Sequence, residues 1–185
     1  VSLRNAVLAA LINREASGYE LAKQFHVSVA NFWTATSQQL YRELEKMESE
    51  GLLSARVVAQ PKRPDKRLYS LTDSGRDALN EFTKQEPRPT TVRDELLVQV
   101  EALAHADVSS VRSSIESRIE CSTRRLETYE ARLAEILGGR GDEEFLKTGN
   151  RIGPYLTLQR GISFERENIA WGRMALGVLD RRFHD

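Results

Sequence analysis

A mainly helical α+β chain is expected, with one small hairpin in its first half and long helices in its second. Three observations carry this. Between Thr36 and Gly75 a helical pattern runs into Gly51, then an alternating strand, a basic tip holding Pro61 and Pro64, and a second strand. Glu86-Pro87-Arg88-Pro89-Thr90-Thr91 places two prolines within three residues, which disfavours helix and extends the chain. Beyond it, Ile115, Ile119, Ser122, Leu126, Tyr129, Leu133 and Ile136 recur at alternating four-and-three spacing, a heptad seam. The expected division is residues 1–85, a linker over 86–92, and an antiparallel helical unit over 93–185.

The elements follow in order. Leu3, Val7, Leu8 and Leu11 at helical spacing predict a first helix facing a core. Ser17 and Glu20 form a capping box that opens a second helix through about Phe25, with Leu21 and Tyr19 (or Ala22) turned inward. Residues 26–34 read as irregular. Thr36 and Gln39 form a second capping box, and Leu40, Leu44 and Met47 give the third helix one buried stripe. Gly51 suits a left-handed helix stop. Residues 53–59 and 67–71 read as strands, and Thr72 caps a fourth helix to about Phe82. Helix, strand, charged hairpin, strand is the order of a winged helix-turn-helix.

Gly138-Gly139-Arg140-Gly141 ends the seam, and a last helix spans Ile152 to about Arg181. It is apolar on two faces. Ile152, Tyr155, Ile162 and Ile169 make one; Phe164, Trp171, Ala175 and Val178 make the other. A hairpin of two helices is expected to leave such faces uncovered, so a second copy of the chain is the expected cover. The interface residues expected on this reasoning are Ile115, Ile119, Leu126, Tyr129, Leu133, Ile162, Ile169 and Trp171.

A helix that can enter a groove beside a basic hairpin is suited to double-stranded DNA. Thr36, Ser37 and Gln38 are the first groove candidates, because the acids further along the helix repel phosphate and leave its N-terminal part to enter a groove; Thr36 can both cap the helix and meet phosphate. Arg42 and then Lys46 follow on the same helix, diluted by Glu43, Glu45, Glu48 and Glu50. Tyr41 either meets phosphate or packs beside Leu44. The hairpin tip carries Lys62, Arg63, Lys66 and Arg67 against one acid, Asp65.

The whole chain of 185 residues has 27 basic and 27 acidic side chains, so it is not built to coat nucleic acid indiscriminately. One cysteine, Cys121, excludes an internal disulfide framework and fits a reducing compartment. No apolar run has membrane-spanning length, and the N-terminus lacks a signal-peptide pattern, so a cytoplasmic protein is expected. His26, His105 and His184 lack metal-ligand spacing, and the glycine run at 138–141 lacks the lysine of a phosphate-binding loop. No metal, cofactor or catalytic group is expected. Trp33 and Trp171 read as core residues, or as walls for a flat aromatic ligand.

The chain resembles the PadR family of transcriptional regulators, in particular its virulence-activator-like branch. The matching stretches are Gly18-Tyr19-Glu20-Leu21, Gln39-Leu40-Tyr41-Arg42-Glu43-Leu44, Glu50-Gly51-Leu52 and Arg67-Leu68-Tyr69-Ser70-Leu71-Thr72-Asp73-Ser74-Gly75. The second half matches in architecture. The resemblance implies a DNA-binding winged helix, a helical dimerisation domain, repression in many members and response to small aromatic ligands in some. It points to a homodimeric repressor reading an inverted repeat. The alternative, which the zero net charge suits, is a winged helix that docks on proteins without specific DNA binding.

Overall fold

The computed structural model describes residues 3–27, 35–59, 65–87, 89–90 and 93–183. It resolves into two compact units, Val1–Arg88 and Pro89–Asp185.

The first unit opens with α1 (Leu3–Leu11), whose Val7, Leu8 and Leu11 are buried as their spacing predicts. A two-residue strand, β1 (Ala16–Ser17), leads into α2 (Gly18–Val27). The Ser17–Glu20 capping box forms: the Ser17 N–H donates to the Glu20 carboxylate at 2.8 Å, and the Glu20 N–H donates to the Ser17 hydroxyl at 3.3 Å. Two expectations are corrected here. The helix continues through His26 and Val27. Tyr19 does not face the core but is 73% exposed, while Leu21 is fully buried and Ala22 packs against the core.

Helix α3 (Ser37–Ser49) has the predicted capping box, Thr36 with Gln39, and buries Leu40, Leu44 and Met47. It ends in a Schellman arrangement. Gly51 sits at φ +74°, its N–H donates to the Glu48 carbonyl, and the Leu52 N–H donates to the Met47 carbonyl, both at 2.9 Å. Strands β2 (Leu53–Val58) and β3 (Lys66–Leu71) pair antiparallel, with Leu53 opposite Leu71 and Val58 opposite Lys66. Strand β1 pairs with the other side of β3, giving the order β1-β3-β2.

Thr72 closes the corner between hairpin and α4 (Asp73–Thr83). Its hydroxyl proton is shared between the Gly51 and Leu52 carbonyls, at 2.7 and 3.0 Å, and its oxygen accepts the Gly75 N–H at 3.0 Å. Gly75 lies so close to the Leu52 carbonyl that a Cβ there would overlap the oxygen. Two backbones would have to separate, so Gly75→Ala is expected to cost about 1–3 kcal/mol. Gly153→Ala, where a Cβ meets nothing, is the control. Urea unfolding midpoints of both variants test this; equal midpoints would show the corner to be tolerant.

The second unit holds α5 (Glu95–Glu101), followed by a 3-10 turn over Ala102–Ala104, then α6 (Val108–Leu137), α7 (Asp142–Thr148) and α8 (Ile152–Phe183). Asp94 caps α5 and receives Arg118 of α6 through two bonds of 2.8 Å. That pairing holds the Asp94 carboxyl below its ordinary range. Asp107 caps α6 through Ser109 and Ser110, whose hydroxyls and N–H groups lower its pKa to about 2.

Helices α6 and α8 pack antiparallel along their length: Arg112 reaches Asp180, a Cβ on Gly172 would meet Ile119, and Arg166 reaches Glu130. Two apolar clusters result. One gathers Leu96, Val111, Ile115 and Leu179, with Trp171 against them; the other gathers Tyr129, Ile136, Phe145, Tyr155, Leu158 and Ile162. Between them lies a polar layer. Glu165 is 2% exposed, 3.6 Å from Arg125 and 3.4 Å from the Asn168 amide, and the Ser122 hydroxyl is buried without a partner.

The packing within one chain takes up part of the expected interface. Ile115, Tyr129, Ile162 and Ile169 are buried within the single chain, so the seam is covered by the hairpin itself. Ile119, Leu126, Leu133 and Trp171 are half-buried on the same two clusters. The apolar side chains left exposed in this unit include Phe164 and Val178, from the second face expected of α8, with Leu156, Met174 and Phe183 on the same helix, Leu146 on α7, and Leu97 and Val98 on α5.

Candidate nucleic-acid interface

The exposed edge of α3 assembles most of the expected contacts. Thr36, Ser37, Gln38, Arg42 and Lys46 are all exposed. The Thr36 hydroxyl accepts the Gln39 N–H at 3.2 Å and the Gln39 side chain accepts the Thr36 N–H at 3.0 Å. Gln39 is thus engaged in capping, and Gln38 next to it makes no such bond. The N–H groups of the first turn add a partial positive charge to this end of the helix.

Tyr41 does two things at once. Its ring fills the space where a Gly18 side chain would stand, and it remains 43% exposed. Gly18 therefore allows α2 and α3 to approach through that ring, and a bulkier residue would displace it.

The acids of α3 do not simply dilute its positive charge. Arg4 of α1 pairs with Glu43 at 3.4 Å and with Glu50 at 2.5 Å. Arg67 of β3 donates to both Glu48 oxygens, at 2.6 and 2.5 Å. Arg42 and Lys46 make no ion pair among the described residues, so they are the unneutralised cations of the helix.

Two of the four wing cations are described, and both are paired. Lys62 and Arg63 lie outside the described residues. Lys66 is not free: its ammonium sits 2.8 Å from Glu20. Arg67 is held by Glu48, and its guanidinium lies 5.7 Å from the centroid of the Tyr69 ring. Arg56 on β2 is paired with Glu15 at 2.5 Å. The Glu20 carboxyl is pulled from 4.5 to about 2, first by Lys66 and then by the Ser17 N–H. Its folded pKa is the lower one, so the stability it contributes is whole above about 4.5 and is lost as pH falls toward about 2.

Glu20 and Glu48, which hold the wing cations, are not among the expected site residues. The capping role of Glu20 was visible as a local spacing, whereas its contact with Lys66 joins residues 46 apart and leaves no local signal.

The expected ligand pair is not brought together by what is described. Trp33 lies outside the described residues, and Trp171 packs on the cluster around Leu96 and Leu179. Among the described residues no group of three His, Cys, Asp or Glu could hold a metal, and no helix is long and apolar enough to cross a membrane.

Two family models match the chain: the transcriptional regulator PadR-like family over residues 7–81 and the virulence activator alpha C-terminal family over residues 92–180. A probable transcriptional regulator of Mycobacterium tuberculosis is 32% identical over 182 residues, 92% of this chain and 94% of that protein. The structure of Bacillus subtilis PadR in complex with operator DNA matches with a TM-score of 0.79 at 25% identity, covering 95% of this chain and 97% of that one. The Vibrio cholerae virulence activator AphA matches with a TM-score of 0.71 at 29% identity, covering 97% and 99%.

Proposed function

The chain belongs to the PadR-like family of transcriptional regulators, and on that premise we propose that it works as a homodimer reading a palindromic operator in double-stranded DNA. The carrying observation is the exposed first turn of α3, with Gln38 and, one turn on, Arg42, which makes no ion pair among the described residues. The relative solved on operator DNA supports this reading over a winged helix that docks on proteins.

Each α3 would enter a major groove by its N-terminal end, Ser37 and Gln38 first, with Arg42 one turn on. The Thr36 end would face phosphate, where the helix dipole favours an anion. Lys62 and Arg63 would hold flanking phosphate. Two copies joined by a two-fold axis would set the half-site spacing at one helical turn or a multiple. Repression would follow from occupying the promoter. The work is binding and not catalysis, and it takes place in the cytoplasm, where the DNA is.

Anisotropy titration of a duplex from the protein's own promoter, repeated as salt is raised, tests the reading. Promoter affinity should exceed random-duplex affinity and should fall steeply with salt. Lys62→Ala with Arg63→Ala should flatten the slope by up to about 2, roughly one for each lost phosphate contact. A shallow salt response with no promoter preference would overturn the function. An unchanged slope in the double variant would remove the tip from it.

A further inference from the structure

Every cation on the two wing strands is already held by a carboxylate from another element. Arg56 is held by Glu15, Lys66 by Glu20 of α2, and Arg67 by Glu48 of α3. Arg42 and Lys46, on the exposed side of α3, make no ion pair among the described residues. The pairing thus takes up the strand cations and leaves the two cations of the helix that would read bases.

The geometry points to Glu20 and Glu48 as specificity-determining residues, each an occupant that a DNA phosphate must displace before Lys66 or Arg67 can grip the duplex. This rests on the DNA-binding function proposed above. Glu20 is fixed in place independently of Lys66. One oxygen accepts the Ser17 N–H at 2.8 Å and the Ser17 hydroxyl at 3.0 Å, while the other takes Lys66 at 2.8 Å. If Lys66 left, the carboxylate would stay behind as an anion near the phosphate. Glu48 is on the last turns of α3, and Arg67 is steadied from its other side by Tyr69.

The consequence is electrostatic. A lysine that neutralises a phosphate releases about one condensed counterion, and this release drives non-specific binding. On random duplex Lys66 and Arg67 stay with their carboxylates, so they neutralise no phosphate and release no counterion. Lys66 and Arg67 then add little to affinity for random sequence. On the operator, the α3 contacts supply the surplus needed for the exchange. The acids lower non-specific binding more than specific binding, which widens the ratio between them. The even balance of 27 acidic and 27 basic side chains fits a protein that guards its cations in this way.

Glu20→Gln and Glu48→Gln, singly and together, test it. The glutamine oxygen still accepts the Ser17 N–H, so the α2 cap survives. Each variant should bind random duplex about two- to fivefold more tightly, the worth of a released surface pair. Each should steepen the random-duplex salt slope by up to about 1. Operator affinity should rise less, so the specificity ratio falls. Glu81→Gln, which breaks the exposed pair with Lys84 on α4, controls for the change in net charge. Slopes equal to the unmodified protein's, or an equal change in the Glu81 control, would overturn the inference while leaving the DNA-binding function standing. An unmodified protein that binds no duplex would overturn that function and this inference with it.

Discussion

Phe164→Asp combined with Val178→Asp is expected to lower operator affinity by about 100- to 10,000-fold while leaving each winged helix folded, because the second half-site would no longer bind as part of the same molecule. Phe164 and Val178 are 47% and 45% exposed and lie on one face of α8 with Trp171 and Ala175. An aspartate there stays in water in the single chain and would be buried without a partner in a two-fold interface. The positions matter. Aspartate at Ile162 or Ile169 would enter the interior between α6 and α8 and unfold the hairpin, so a loss of affinity would say nothing about assembly. Sedimentation gives the first reading and operator titration the second. A double variant that still sediments as a dimer, or a monomer that holds the operator as tightly as before, would overturn the proposed assembly.

Arg42→Ala and Gln38→Ala should each cost about 1–3 kcal/mol on the operator if they remove a bidentate base contact, and less on random duplex. Both side chains are exposed, and neither is part of the capping box that Thr36 shares with Gln39, so the helix should survive the change. Among the described residues Arg42 has no carboxylate partner, which separates it from Arg67. Circular dichroism confirms the fold and competition titration measures the loss. Equal losses on every sequence would make these residues positioners of the protein and not readers of the base pairs.

Much of the first unit was legible because its signals are local. The capping boxes at Ser17 and Thr36 span three residues, the stripe of Leu40, Leu44 and Met47 spans two turns, and Gly51 marks its own left-handed stop. What was not legible depends on partners distant in sequence. Strand β1 has two residues, too few to show a period, and exists because β3 lies beside it. Tyr19 has an aromatic ring that spacing alone turns inward, yet Leu21 and Phe25 fill that core. The pairs Lys66–Glu20 and Arg67–Glu48 join elements that meet only after folding. The heptad seam was read correctly as a buried surface, but periodicity does not say whether the covering helix belongs to the same chain. Here α8 returns along α6 and covers it.

The polar layer in that hairpin bears on how the chain avoids misfolding. Two long antiparallel helices have several nearly equivalent alignments, each displaced by one turn of about 5.4 Å. Apolar side chains alone discriminate weakly among them, since Leu, Ile and Tyr repeat along both partners. Glu165 does not. In the native alignment its carboxylate lies 3.6 Å from Arg125 of α6, whereas its other partner, Asn168, sits on α8 and travels with it. Slipped by a turn either way, it would press a charge into the cluster around Ile115 or the one around Tyr129, losing the cation that accompanies it. One buried glutamate thus acts as a key that only a single alignment accepts, trading some stability of the hairpin for fidelity in its formation.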